Sequence, residues 1–349
     1  MERRRVAEGV AVIALLFGAL ALFGDPRRTF AMLESVDPVP YAGALATTLA
    51  GLVIWSGALA ALLRGQGVDV RPYRFVTPFV AGMGVRSVVP GGSVSGPAVL
   101  GYVVGRTTDA STETAVAMAY VNDVALWIGS AAVGAVGVLG LLLFRRPSGR
   151  LLALAGGLVA FAAVGFGIVG YGIRHPDPVE DVVGGVVAWL RGVVRRLVSG
   201  PVERFDPDTI GERLDRFFDA FGRLARDPTH LGPALVSAVG GWFVHASGLY
   251  LVFLALGIHV SYAAAILVVP VGGLTEGLSV LPGGIGSVEP AFAVLIVLLT
   301  PVSVSTAATV VVLYRLSNYW FRVALGLGAL SLLGVGGVRG VASATDERV

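Results

Sequence analysis

Eight polar side chains stand in the most apolar parts of this 349-residue chain: Arg86, Asn122, Asp123, Glu276, Glu289, Arg315, Asn318 and Arg322. A charged group at the centre of a membrane helix costs about 2.5–3.5 kcal/mol on insertion scales, so a span that carries one needs it. The six charges cancel, arginines 86, 315 and 322 against Asp123, Glu276 and Glu289. That balance fits ion pairs that lock helices together, and it also fits a polar binding site. So many costly groups gathered around two backbone breaks favour the site, and all eight are candidate substrate-binding residues.

The breaks are Pro-Gly-Gly. Pro90, Gly91 and Gly92 lie in SVVPGGSVSGPAV (87–99). Pro282, Gly283 and Gly284, followed by Gly286, lie in SVLPGGIGSVEPA (279–291). Proline removes a backbone donor and glycine frees the dihedrals, so a helix stops at each. Helix ends leave amides unpaired, a helix N-terminus attracts phosphate, and arginine grips phosphate through two nitrogens. Broken helices with arginines nearby therefore suit an anionic lipid head group. The carboxylates suit a proton, a cation or a basic head group.

Enzyme signatures are absent or weak. His175, His230, His245 and His259 show no ligand spacing, and His245 and His259 read as hydrogen-bonded helix or loop residues. The chain has no cysteine, which excludes disulfides and thiolate metal sites. There is no P-loop, and Gly284-x-Gly286 follows no strand. The expectation is a protein that is not an enzyme and takes no metal and no cofactor.

The elements that must hold these residues are membrane helices. The chain is 55% hydrophobic and 14% charged, where a soluble protein carries about 25% charge. Its mean hydropathy is +0.80, the mark of a polytopic membrane protein. The net charge of +3 fits loops facing anionic lipid and gives no concentrated basic surface for nucleic acid. Apolar runs long enough to span occur at about 8–24, 42–63, 112–143, 150–172, 232–256 and 303–336. Runs 75–105 and 262–300 are each cut at the middle by Pro-Gly-Gly. Each arm is short for a full crossing, so both read as re-entrant hairpins, tolerable at depth only where protein or a wet cavity covers the backbone. Residues 178–228 carry both charge signs with hydrophobics at helical spacing. They read as amphipathic surface helices and, compatibly, as a linker between halves. MERRR ahead of the first apolar run favours an uncleaved helix with its arginines in the cytoplasm. A signal peptide with a small-x-small site at Ala19-Leu20-Ala21 is the competing reading.

The two Pro-Gly-Gly motifs are 192 residues apart, and at that offset Ser87, Gly91, Gly92 and Ser95 meet Ser279, Gly283, Gly284 and Ser287. Asp123 meets Arg315, and Trp127 meets Tyr319. Span, broken hairpin and over-long helix with an internal charge recur in the same order. Following the crossings from a cytoplasmic N-terminus turns the second set over, although five arginines near 27 and 145–150 then fall outside. The fold class expected is an all-α polytopic membrane protein, an inverted-topology internal repeat with two re-entrant broken hairpins. Its organisation is a first transmembrane half over 1–172, surface helices over 173–230, a second half over 231–338 and a tail over 339–349.

LPGGIGSVEPAFAVLIVLL followed by VVLYRLSNYW, with VVPGGSVSGPAVLGYVVGRTT and Asp123 earlier, resembles the lysylphosphatidylglycerol synthase transmembrane region, a flippase-like family, over roughly residues 8–336. The resemblance implies an all-helical lipid translocase. Bacterial members move aminoacylated phosphatidylglycerol, and related archaeal domains are associated with isoprenoid-lipid-linked sugars. The motif carries over to Pro282, Gly283, Gly284, Gly286, Glu289 and Arg315. The chain departs from it at Val288, where the family often has arginine, which puts head-group specificity in doubt. The soluble aminoacyl-transferase domain of fused members has no counterpart here, so this chain is expected not to synthesise the lipid it moves.

The leading expectation is a translocase that passes an anionic or isoprenoid-phosphate-linked head group through a charged midplane cavity of the cytoplasmic membrane. An ion-coupled small-solute transporter and a non-transporting accessory subunit of lipid or glycan modification remain as alternatives. The partners implied are a membrane lipid and no nucleic acid, with a second copy of the chain and a lipid-modifying enzyme or glycosyltransferase left open.

Overall fold

The computed structural model describes Met32, residues 34–89, 92–144, 207–279 and 281–333, and isolated positions between 149 and 171. The expected span at 8–24, most of that at 150–172, the surface segment up to 206, the tail, and Pro90 and Gly91 lie outside the described residues. Among the described residues every regular element is a helix.

The central pair is α1, Pro38–Gly65, and α6, Leu231–Ala255. Asp37 starts α1 by accepting the Val39 amide at 2.9 Å, with Pro38 in the first turn where its missing N–H costs nothing. The two helices run antiparallel. The Asp37 amide donates to the Ala255 carbonyl at 2.8 Å at one end, and Gly65 lies against His230 at the other. Between these ends the Trp55 indole donates to the Ala238 carbonyl at 3.3 Å and the Ser237 hydroxyl to the Ile54 carbonyl. Both helices end in the same device. Gly67 (φ +79°) donates to Arg64 while Val68 donates to Leu63, and Gly257 (φ +68°) donates to Leu254 while Ile258 donates to Phe253.

A broken pair of helices follows each. After α1 come α2, Pro72–Val88, and α3, Gly92–Thr107. After α6 come α7, Tyr262–Leu278, a 3-10 turn at Pro282–Gly284, and α8, Val288–Leu299. α2 packs on α3, and α7 on α8. These helices have 17, 16, 17 and 12 residues, so each is roughly 18–26 Å long, short of the ~30 Å hydrocarbon core. α2 and α7 each carry an internal proline, Pro78 and Pro270, again 192 residues apart.

Each broken pair leads into a long helix. The first is α4, Thr112–Phe144. The second is continuous through α9, Val304–Arg315, a π-helical segment, Leu316–Trp320, and α10, Phe321–Leu332. Their starts match. The Thr114 amide donates to Ser111 Oγ and the Thr306 amide to Ser303 Oγ, both at 3.2 Å. The long helices pack crosswise, α4 against α7 and α10 against α2. Gly84 and Gly326 let α2 and α10 touch backbone to backbone; a side chain on either would enter the other.

By length and composition α1, α4 and α6 are able to cross a membrane. α5, Pro207–Arg226, is amphipathic and lies along α4. It buries Phe218, Ala220 and Leu224, while Arg216 reaches Glu113 at 3.4 Å and Arg223 donates to Gln66 at 2.8 Å.

Candidate functional site

Helices α1, α2, α4, α6, α7 and α10 surround a cavity of about 140 Å³. At about 30 Å³ of liquid per water that is room for about five waters. Polar groups on its wall are Arg86 and Ser87 from α2, Asp123 and Ser130 from α4, His245 from α6, Glu276 from α7, Asn318 from the π segment and Arg322 from α10. Trp55, Trp127, Trp242 and Phe292 also line it, as does Gly283 of the second break.

The charges pair one to one. Arg86 donates to both oxygens of Asp123, at 2.5 and 2.7 Å, a fork that joins the end of α2 to the middle of α4. Gly96 in α3 makes room for this guanidinium, since a methyl group there would come to 3.0 Å from its Nε. Arg322 donates one nitrogen to Glu276 Oε1 at 3.0 Å, joining α10 to α7. Arg322 Nε stays buried without a hydrogen-bond partner. The third pair, Arg315 and Glu289 at 2.9 Å, is off-axis, because the Arg315 Nε–H does not point at the oxygen.

That third pair does not line the cavity; it builds the second break. Glu289 sits in the first turn of α8, where the helix dipole favours a carboxylate, and accepts the Gly286 amide at 2.7 Å. Arg315 donates to the Gly283 carbonyl at 2.7 Å and stacks on Tyr319, 4.4 Å from the ring centroid. Gly283, Gly284 and Gly286 have φ of +58°, +65° and +87°, which L side chains adopt only at a cost. Tyr319 stands directly over Gly283, and its hydroxyl donates to the Ser87 carbonyl at 3.1 Å, tying the last helix to the end of α2. The π segment places Tyr319 between Arg315 and Arg322, four residues after one and three before the other. π-bulges of this kind frequently mark functional positions.

Several expectations change against this geometry. Arg86, Asp123, Glu276, Asn318 and Arg322 meet at the cavity; Asn122, Glu289 and Arg315 do not. Asn122 is fully buried in α4 with both amide atoms unpartnered. The bare amides expected at the second break are largely spent inside it. Gly284 donates to Leu281, Ile285 to Pro282 and Ser287 to Gly284, and Glu289 takes Gly286. Of the first break's residues, Gly92 opens α3. His245, expected as a hydrogen-bonded helix or loop residue, is instead a cavity-wall residue buried between Trp55 and Trp242, with ring centroids 4.8 and 5.8 Å away and its Nδ1 unpartnered; the tryptophans had no expected part in the site. Their signal was position: Trp55, Trp127 and Trp242 stand inside spans, where tryptophan is otherwise concentrated at the two interfaces.

A family model described as the lysylphosphatidylglycerol synthase TM region matches residues 6–326. The chain is 24% identical over 327 residues to a UPF0104 membrane protein of Methanothermobacter thermautotrophicus, covering 93% of this chain and 94% of that protein. A 140-residue match to a UPF0104 membrane protein from the same organism reaches 30%. The chain is also 24% identical over 374 residues to glycosyltransferase AglD of Haloferax volcanii, a match that takes in 99% of this chain and 57% of that protein.

Proposed function

From the premise that this chain belongs to the lysylphosphatidylglycerol synthase transmembrane-region family and is an integral membrane protein, we propose that it is a lipid translocase of the cytoplasmic membrane. An anionic or isoprenoid-phosphate-linked head group passes through the charged cavity while the tails stay in the bilayer. The chain moves the lipid and makes no bond in it. The observation that carries this reading is the cavity itself: two arginines, two carboxylates and room for water, enclosed by helices that belong in hydrocarbon.

An inverted repeat with two re-entrant hairpins supplies alternating access to such a cavity. Three features support it. The central helices are antiparallel, so the two broken pairs begin at opposite ends of the molecule. The glycine caps, internal prolines, breaks and serine caps recur in order at an offset of 190–192 residues. The long helix of each half packs on the broken pair of the other.

The test is transport by purified protein in phosphatidylcholine vesicles, with tail-labelled phosphatidylglycerol or a tail-labelled isoprenyl phosphate as probe. The protein moves at least one probe faster than protein-free vesicles. Arg322→Ala slows that movement at least tenfold, and Val39→Ala, on an exposed surface, leaves it unchanged. Protein that stays folded and moves neither probe overturns the proposal. The match to more than half of a protein named a glycosyltransferase favours a second reading, an accessory membrane module for glycan or lipid modification. That reading predicts no probe movement and the same null effect for Arg322→Ala.

A further inference from the structure

The two ion pairs on the cavity wall are unequal. Asp123 is gripped at both oxygens by Arg86, and its side chain is 9% exposed. Glu276 is held at one oxygen by one nitrogen of Arg322, and its side chain is 37% exposed. Arg322 is buried, keeps an unpartnered Nε, and has the Tyr319 ring centroid 5.9 Å away. The four charges cancel. A head group bearing one negative charge would therefore leave the cavity with an uncompensated anion, which is costly away from bulk water. One proton removes that excess, and Glu276, the more exposed of the two cavity carboxylates and the one held by a single hydrogen bond, gives up least to accept it.

Resting on the translocase reading above, we infer that Glu276 is the proton site of a proton–lipid symporter, in which one proton and one anionic head group cross together. On the acidic side, a hydronium ion gives its proton to a Glu276 oxygen and leaves as water. An O–H bond forms, the carboxyl becomes neutral, and its ion pair with Arg322 ends. A phosphate oxygen takes that place against Arg322, so the loaded cavity again sums to zero. On the alkaline side the phosphate leaves, the carboxyl returns its proton to water, and the Arg322–Glu276 pair re-forms.

The neighbours of Glu276 leave it the best-placed carrier. Arg322 faces it from α10, and Arg86 and Asp123 share its cavity from α2 and α4. Tyr314 of α9 and Tyr319 of the π segment lie within its electrostatic reach. His245, from α6, is enclosed by two indole rings, and a proton on it would add a cation near Arg322. Protonating Asp123 would disrupt two charge-assisted hydrogen bonds where Glu276 has one. Among the described residues α3 and α8 place no titratable group on the cavity wall. Glu289 and Arg315 neutralise each other behind it.

The experiment uses full-length protein in phosphatidylcholine vesicles that trap a fluorescent pH dye, with a trace of whichever labelled lipid moves in the translocation assay. With the lumen one pH unit more alkaline, one-proton symport enriches the inner leaflet in label about tenfold, one unit being a factor of ten. The lumen acidifies as the label enters. Glu276→Gln fixes the cavity at the protonated state's charge, so its label movement carries no proton and ignores the gradient. Glu276→Asp keeps the gradient response. Wild-type protein that distributes label equally with and without the gradient overturns the proton site and leaves translocation standing. So does a gradient response that Glu276→Gln retains. Wild-type protein that moves no label overturns translocation, and the proton site falls with it.

Discussion

Gly283 has two reasons to be glycine, and they come from different parts of the chain. Its backbone is left-handed, and the ring of Tyr319 occupies the space a side chain would need. Gly283→Ala therefore meets both penalties, about 2–4 kcal/mol together. Tyr319→Phe keeps the ring and loses only the hydrogen bond to Ser87, worth about 1 kcal/mol. Thermal unfolding of the purified protein in detergent should rank wild type above Tyr319→Phe and Tyr319→Phe above Gly283→Ala; equal midpoints for all three would refute this account of the break. The glycine pattern was legible in the sequence because three glycines within four residues have few uses other than a turn. The partner of each charge was not. Cancelling charges announce pairing, but nothing in spacing tells that Glu289 would serve the loop while Glu276 lines the cavity. Tyr319 and His245 carried still less signal, since one aromatic ring in an apolar helix usually means packing.

At the scale of elements, the helix breaks were visible as Pro-Gly-Gly inside apolar runs, and the observed helix ends at Val88 and Leu278 follow them. The π segment was not visible. Its five residues, LSNYW, have no composition that distinguishes them from α-helix, and the widened turn answers to Gly283 and Ser87 across the fold. The proposed inversion of the two broken pairs makes a topological prediction that a cysteine-free chain tests without background. Single cysteines at Asp69 and Asp109, beside the first pair, should react with a membrane-impermeant maleimide from one side of the membrane. Those at His259 and Pro301, beside the second, should react from the other side. All four positions labelled from a single side would contradict the inverted arrangement.

For the whole molecule, class was readable and assembly was not. Low charge and high hydropathy require helices in lipid, and among the described residues every regular element is a helix. Nothing in α1 or α6 announces their antiparallel pairing. Both are apolar around most of their circumference, and the contact is written in glycines, one tryptophan and one serine spread over 25 residues. The same pairing draws the two broken pairs together and encloses the cavity, and translocation requires that lipid head groups enter it. The most direct measurement is photo-cross-linking in vesicles with a phosphatidylglycerol that carries the photoreactive group on its head, with adducts mapped by mass spectrometry. We expect adducts on peptides containing Trp127, Trp242 and Arg322, which line the cavity. Adducts confined to the exposed apolar flank at Val136, Leu139 and Leu143 would contradict passage through the interior.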